Sequence, residues 1–174
     1  MKKPFLLWVL IAVLTAIASF IALELGGFKL AYDYDSSRIT FLIFAIFYIM
    51  TGWAGWITWK ASMIIDGDVS GRGMALTSSL RNIKNDASHI ETSAELCTLL
   101  GLLGTIAGII MAFFGGSGFK GVQNNPNLGA AVGTAFITTG AGIISSIILV
   151  TQHHFLLHAV KRKQIELTPE AGSE

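Results

Sequence analysis

Long uncharged apolar runs alternate with shorter polar segments along this chain. Four runs contain no Asp, Glu, Lys or Arg for about 19–23 residues, which as an α-helix is enough to cross about 30 Å of hydrocarbon. Apolar side chains occur on every side of each predicted helix, so periodicity does not distinguish a membrane span from a buried helix. Length and the lack of charge identify the four runs as membrane spans. The sequence predicts an all-α polytopic membrane protein with spans at 5–23, 40–59, 96–114 and 128–150.

The polar segments predict how the spans are joined. Residues 60–95 form the longest polar stretch, which begins with the breaker run DGDVSGRG. From Met74 to Glu91 apolar residues recur every three or four positions, which predicts a helix. Neither Gly nor Pro separates this helix from the third span, so one long helix is expected to leave the membrane. The fourth helix is likewise expected to continue through His158 and the KRK run, and residues 1–174 to form a single membrane domain.

The positive charges predict the orientation of the chain. A cleaved signal peptide is an alternative for the first span, but its apolar region is long and no clear A-x-A site follows. Three Lys or Arg residues lie in the connections assigned to the outer side. Nine would share the other side, which places both termini in the cytoplasm and the protein in the inner (cytoplasmic) membrane. These nine are Lys2, Lys3, Lys60, Arg72, Arg81, Lys84, Lys161, Arg162 and Lys163.

Composition narrows the function classes. The chain is 52% hydrophobic and only 13% charged, which argues against a soluble enzyme. A net charge of +1 gives no basic field for nucleic acid, and no catalytic arrangement is present, so neither an enzyme nor a cofactor is expected. The single cysteine, Cys97, can form no internal disulfide. Nineteen Gly against three Pro residues favour closely packed membrane helices.

Small residues form stripes on the third and fourth spans. A stripe of small side chains lets a neighbouring backbone approach closely in lipid. Two faces of small residues on the fourth span predict either contact with two protein neighbours or contact with one neighbour and a water-filled path. Alternatively, the Thr hydroxyls bond to their own i−4 carbonyls and only help packing. The stripes are Gly101, Gly104, Thr105 and Gly108; Ala135, Thr139, Gly142 and Ser146; and Thr134, Thr138, Ala141 and Ser145.

The four spans lack any ionisable Asp, Glu, Lys or Arg residue. Ion transport usually leaves such a residue in the membrane, because a charge there is costly and is kept for function. Either a partner supplies the titrating group, or this protein does not conduct ions.

Two motifs in the second half of the chain resemble a known family. The run LGLLGTIAGIIMAF at 100–113 resembles the LGLLGTVxGMIxAF signature of the MotA/TolQ/ExbB proton-channel family. Asn125-Pro126 and AFITTGAGI at 135–143 resemble that family's DP and ALxTTxxGL. The order and spacing of these motifs resemble the family pattern over about residues 95–150.

The resemblance implies a mechanism and a set of partners. Family members form a homopentamer around the helices of two single-span ExbD/TolR/MotB-like partners, each with a membrane Asp that takes up and releases protons. By motif position, Thr105 and Thr139 would face that Asp along the ion path, with Thr138 a further candidate. Gly101, Gly104, Gly108 and Gly142 would serve helix packing. The transported ion would be H⁺ or Na⁺, and the remaining partner would be the lipid bilayer.

The chain also departs from the family pattern. Ile148 stands where the family often has Pro, and Asn125 replaces the common Asp. Four spans with both ends inside resemble the flagellar-stator branch. The segment 60–95 is far shorter than a stator's cytoplasmic region and has no equivalent of its charged rotor-contacting surface, which argues against a flagellar motor.

Several other residues have two interpretations. Glu95 is either a cytoplasmic proton exit or an interfacial acid, and His154 and His158 are either a metal pair or interfacial side chains. We expect no metal site, because the His pair lacks a nearby third ligand. Three functions compete: a channel subunit that drives a partner, a structural or assembly membrane protein, and a small transporter acting alone. The absence of charged residues from the spans argues against the small transporter.

Overall fold

Four long helices form most of the regular structure in the described part of the chain. The computed structural model describes residues 3–26, 29, 32–33, 35, 38–66, 73–114 and 128–167. All four helices are long and apolar enough to cross a membrane, which confirms the predicted all-α fold. Residues 67–72 of the breaker run and the motif residues Asn125 and Pro126 lie outside the described residues. The helices are α1 (Lys3–Glu24), α2 (Ile39–Asp66), α3 (Gly73–Phe114) and α4 (Leu128–Leu167).

Helices α3 and α4 are much longer than a membrane is thick. They contain 42 and 40 residues, which corresponds to about 60 Å each at 1.5 Å per residue. The structure thus confirms that the helix beginning near Met74 is continuous with the third span, and that the fourth helix continues past His158. Both helices, with the last turns of α2, extend beyond the uncharged runs. We call this extension the polar end (residues 60–66, 73–95 and 151–167).

The core of the molecule lies between α2, α3 and α4. On α3 the buried apolar residues recur every three or four positions, as the periodicity of this segment predicted, and they meet apolar residues from the other two helices. Much of this core belongs to the polar end, where one face of each helix is apolar. Its main members there are Ala61, Leu80, Ile83, Ala87, Ile90, Ala94, Leu156 and Val160.

The first turn of α2 is fixed by an aspartate that precedes it. Asp35 is buried, and its Oδ2 accepts a hydrogen bond from the backbone N–H of Thr40 at 2.9 Å. Its carbonyl oxygen accepts from the N–H of Arg38 at 3.2 Å, and Arg38 has a left-handed φ of 55°. Asp35 thereby satisfies a donor that the helix itself leaves unpaired.

Helix α1 lies at the periphery. Its span has no buried residues. It contacts α2 through the Trp8 indole, which lies against Gly55, and through a 2.9 Å hydrogen bond between Tyr48 Oη and Ser19 Oγ. Beyond these contacts, a largely apolar groove of about 710 Å³ separates it from α2 and α4.

Candidate functional site

The seam between α3 and α4 brings two helix backbones unusually close together. A Cβ atom on Gly142 would lie 2.5 Å from the carbonyl oxygen of Cys97 and 3.0 Å from Cα of Gly101. A Cβ atom on Gly108 would lie 2.6 Å from the carbonyl oxygen of Ala131, and one on Gly104 would overlap the side chain of Thr138. The structure therefore places all four glycines that were expected to serve helix packing at this seam. Three of them have no room for a side chain, and a Cβ atom on Gly101 would lie in tight contact, 3.2 Å from the carbonyl oxygen of Thr138.

This close approach puts two threonines of the sequence motifs in direct contact. Oγ1 of Thr105 lies 2.9 Å from Oγ1 of Thr139, and either hydroxyl can be the donor. Oγ1 of Thr139 is also 3.2 Å from the carbonyl oxygen of Gly101 and 2.8 Å from that of Ala135. Because a hydroxyl has one hydrogen, Thr139 donates to only one of these acceptors at a time. Several hydrogen-bond arrangements are thus available within the same heavy-atom geometry.

The alternative in which each hydroxyl bonds to a carbonyl oxygen of its own helix is compatible with the contact between Thr105 and Thr139. Oγ1 of Thr105 lies 3.2 Å from the carbonyl oxygen of Gly101, four residues earlier, and Thr139 has the equivalent contact with Ala135. Hydrogen bonding within each helix and contact between the helices therefore occur together.

The threonine pair lies at the edge of an apolar groove. Both side chains are half-buried. They line a groove of about 460 Å³ between the apolar halves of α3 and α4, and they are the only polar side chains among its lining residues in the described part of the chain. A polar group that approached this groove from outside would find these two hydroxyls as its side-chain hydrogen-bond partners.

Thr138 has a different environment from the pair. It is fully buried, its Oγ1 donates to the carbonyl oxygen of Thr134 at 2.7 Å, and its side chain packs on Gly104. The structure does not bring it into contact with Thr105. Its role in an ion path stays a prediction.

A second polar contact across the seam involves residues that sequence reasoning did not select. His153 is only 4% exposed, and its Nε2 lies 3.9 Å from Oε2 of Glu91 on α3. His154, His158 and Glu95, the candidates drawn from the sequence, are all exposed. The signal that could have found the new pair is spacing, since His153 follows Thr139 by two heptads and Glu91 precedes Thr105 by two heptads.

Metal binding has no support among the described residues. Within those ranges no group of three or more His, Cys, Asp or Glu side chains could hold a metal ion. The arrangement at the seam suits hydrogen bonding and proton exchange.

The comparisons with known proteins match the half of the chain that contains the seam. A family model described as the MotA/TolQ/ExbB proton channel family matches residues 73–168, which is more than half of the chain. No curated protein and no solved structure matches. The matched range contains the whole of α3 and α4, both resemblance motifs and the threonine pair. This chain therefore belongs to the MotA/TolQ/ExbB proton channel family.

Proposed function

We propose that this protein is the channel subunit of an ion-driven motor complex, which uses the H⁺ or Na⁺ motive force to drive a partner protein. The observation that carries the proposal is the 2.9 Å contact between the Thr105 and Thr139 hydroxyls at the edge of an otherwise apolar groove. Family membership supports the same function.

The chemistry of the pair suits a path that contains no acid of its own. Hydroxyls both donate and accept, so they can solvate a carboxylate in either protonation state without fixing a charge. Because the spans contain no Asp or Glu, the titrating group must come from elsewhere. A single-span ExbD/TolR/MotB-like partner with a membrane Asp, held beside the seam, would supply it.

The proposed orientation places the polar end in the cytoplasm. The excess of Lys and Arg on that side supports this placement, because positive charges are retained on the cytoplasmic face of the inner membrane. The Thr pair would then lie within the hydrocarbon, and ions would leave toward the polar end.

The test is Thr139→Val in the complex purified from its source membranes and reconstituted into liposomes. Valine keeps the shape of threonine and removes the hydroxyl, so ion flux should fall about tenfold or more while the complex keeps its size. The control is Thr151→Val, on the same helix, whose hydroxyl donates to the Ile147 carbonyl oxygen at 2.7 Å, within its own helix. Unchanged flux in the Thr139 variant would remove this hydroxyl from the path.

The competing function is a structural or assembly membrane protein. The observation that favours it is that Thr105 and Thr139 each have an acceptor within their own helix. Under that function no threonine substitution should alter ion flux. Gly104→Leu should disrupt the seam, and with it the oligomer, under either function, so the flux of the threonine variants separates the two functions.

A further inference from the structure

Polar residues recur along the α3–α4 seam with the same spacing on both helices. Thr105, Thr98 and Glu91 follow one another at seven-residue intervals on α3, and Thr139, Ser146 and His153 do so on α4. Because the helices are antiparallel, the two series run side by side from the apolar half toward the polar end. We call these six residues the polar seam.

The structure fixes both ends of the polar seam. At one end Thr105 and Thr139 are 2.9 Å apart, and at the other His153 Nε2 and Glu91 Oε2 are 3.9 Å apart. Thr98 and Ser146 occupy the register position between them, with Thr98 exposed and Ser146 half-buried. Two heptads separate the ends, which corresponds to about 21 Å along the helices.

The His153 end combines a buried group with an exposed one. The His153 side chain is 5% exposed, whereas the Glu91 side chain is 58% exposed and open to solvent. In the described part of the chain Nδ1 of His153 has no hydrogen-bond partner, and neither has either amide atom of the neighbouring buried Gln152. Buried polar groups of this kind are usually satisfied by ordered water, so these atoms form a polar site that suits water beside the imidazole.

We propose that the polar seam is a proton relay and that His153 and Glu91 form its release site. The inference deepens the proposed channel function and rests on it. It also names the ion, because an imidazole–carboxylate pair passes on protons by changing its protonation state, whereas it offers Na⁺ only one exposed carboxylate. In this relay, water beside the seam bridges the intervals of about 10 Å between these positions, because the glycine contacts leave no room for water within it.

The proton steps at the release site balance without any further reactant. Neutral His153 keeps its proton on Nδ1 and accepts an incoming proton on Nε2, which gives the imidazolium cation. That cation passes the Nε2 proton to the Glu91 carboxylate, directly after a small approach or through one water, because 3.9 Å is too long for a hydrogen bond. Glu91 then loses the proton to the surrounding water, and both groups return to their starting states.

The groups around His153 also affect the stability of its protonated form, and so the proton transfer. Glu91 faces it from α3, and on α4 the His154 ring lies 5.9 Å away, centroid to centroid. On the α2 side, Ile57 and Ala61 pack with Leu149 and Leu156 in an apolar core. Burial opposes a cation on His153 most strongly and lowers the pKa of the imidazole, whereas Glu91 stabilises that cation and His154 opposes it.

The test measures proton flux through the same reconstituted complex in matched pairs of variants. Glu91→Gln and His153→Gln should each lower the flux about tenfold or more. Glu95→Gln and His158→Gln, exposed residues of the same types, should leave it within twofold. Glu91→Asp should restore part of the flux. The Glu91→Gln, His153→Gln double variant should be no worse than either single variant, because both residues serve one step.

Two further readouts separate a relay from a structural role. Wild-type flux should depend on the pH of the release side below the usual titration range of histidine, because burial lowers the pKa of His153. His153→Gln should flatten that dependence. If the His153 variant fails to assemble, Glu91→Gln decides, because its side chain is exposed. Loss of flux in Thr139→Val together with near-normal flux in Glu91→Gln and His153→Gln would overturn the relay and leave the channel intact. Sodium flux without proton flux in the wild-type complex would overturn the relay alone, and absence of both fluxes would overturn the relay and the channel function.

Discussion

At the scale of single residues, Gly142 shows how tightly the seam constrains the sequence. The atoms that a side chain there would meet belong to the backbone of α3, including the Cys97 carbonyl oxygen at 2.5 Å. A backbone cannot turn away as a flexible side chain can. A single methyl group at this position must therefore push the two helices apart.

Gly142→Ala should destabilise the protein, by about 1–3 kcal/mol if it behaves like other overpacked sites. Gly140→Ala is the matched control, because a Cβ there meets nothing within 4 Å. The control should be neutral or up to about 1 kcal/mol more stable, since alanine favours helix. Thermal unfolding in mild detergent compares the two. Equal melting temperatures would contradict the close approach at the seam.

The two polar contacts of the seam differ in how well the sequence predicts them. Thr105 and Thr139 lie in family-like motifs on small-residue stripes, so their position could be predicted without a structure. Glu91 and His153 lie outside those motifs, in a segment whose polar residues look like an ordinary solvated surface. Only the register of α3 against α4 pairs them, and register depends on side-chain packing that no single stripe specifies.

At the scale of helices, α1 is attached differently from the other three. Apolar side chains occur on all sides of α1, so no face is preferred. The sequence therefore predicted a membrane span but not the helix that α1 would contact. The structure shows that its contact with α2 depends on the fit of the Trp8 ring over Gly55. A larger residue at position 55 would occupy the space of that ring.

Gly55→Leu should loosen α1 from α2 without unfolding the α3–α4 seam. In detergent, backbone amides of α1 should exchange hydrogen several-fold faster, while those of the seam keep their wild-type rates. Gly52→Leu, on the same helix at a position where a Cβ atom would meet nothing within 4 Å, should leave α1 unchanged. Faster exchange in both variants, or in neither, would show that the Trp8 contact does not hold α1.

At the scale of the whole molecule, the outer faces of the seam helices are strongly apolar. On α3 a series of large side chains is about half exposed, and on α4 Phe136 is 76% exposed. Lipid or further copies of the chain must cover these surfaces, and in the proposed complex the copies do so. The α3 series is Leu99, Leu102, Leu103, Ile106, Ile109 and Ile110.

Native mass spectrometry of the complex, gently purified from its source cells, should find five copies of this chain with two copies of a single-span protein. The second protein should carry an Asp within its span. Five copies alone would support the pentamer and indicate that the partner was lost during purification. A monomer or dimer that persists in several mild detergents would contradict the pentamer and favour the structural function.

The length of α3 and α4 has a mechanical consequence. Each continuous helix is about 60 Å long, so roughly half of it extends beyond a hydrocarbon layer of about 30 Å. A helix of this length would act as a rigid lever that pivots at the membrane surface. A tilt of about 10° within the bilayer would swing the far end of a 30 Å arm by about 5 Å. Small displacements at the seam would thus be amplified into strokes large enough to re-dock a protein bound at the polar end.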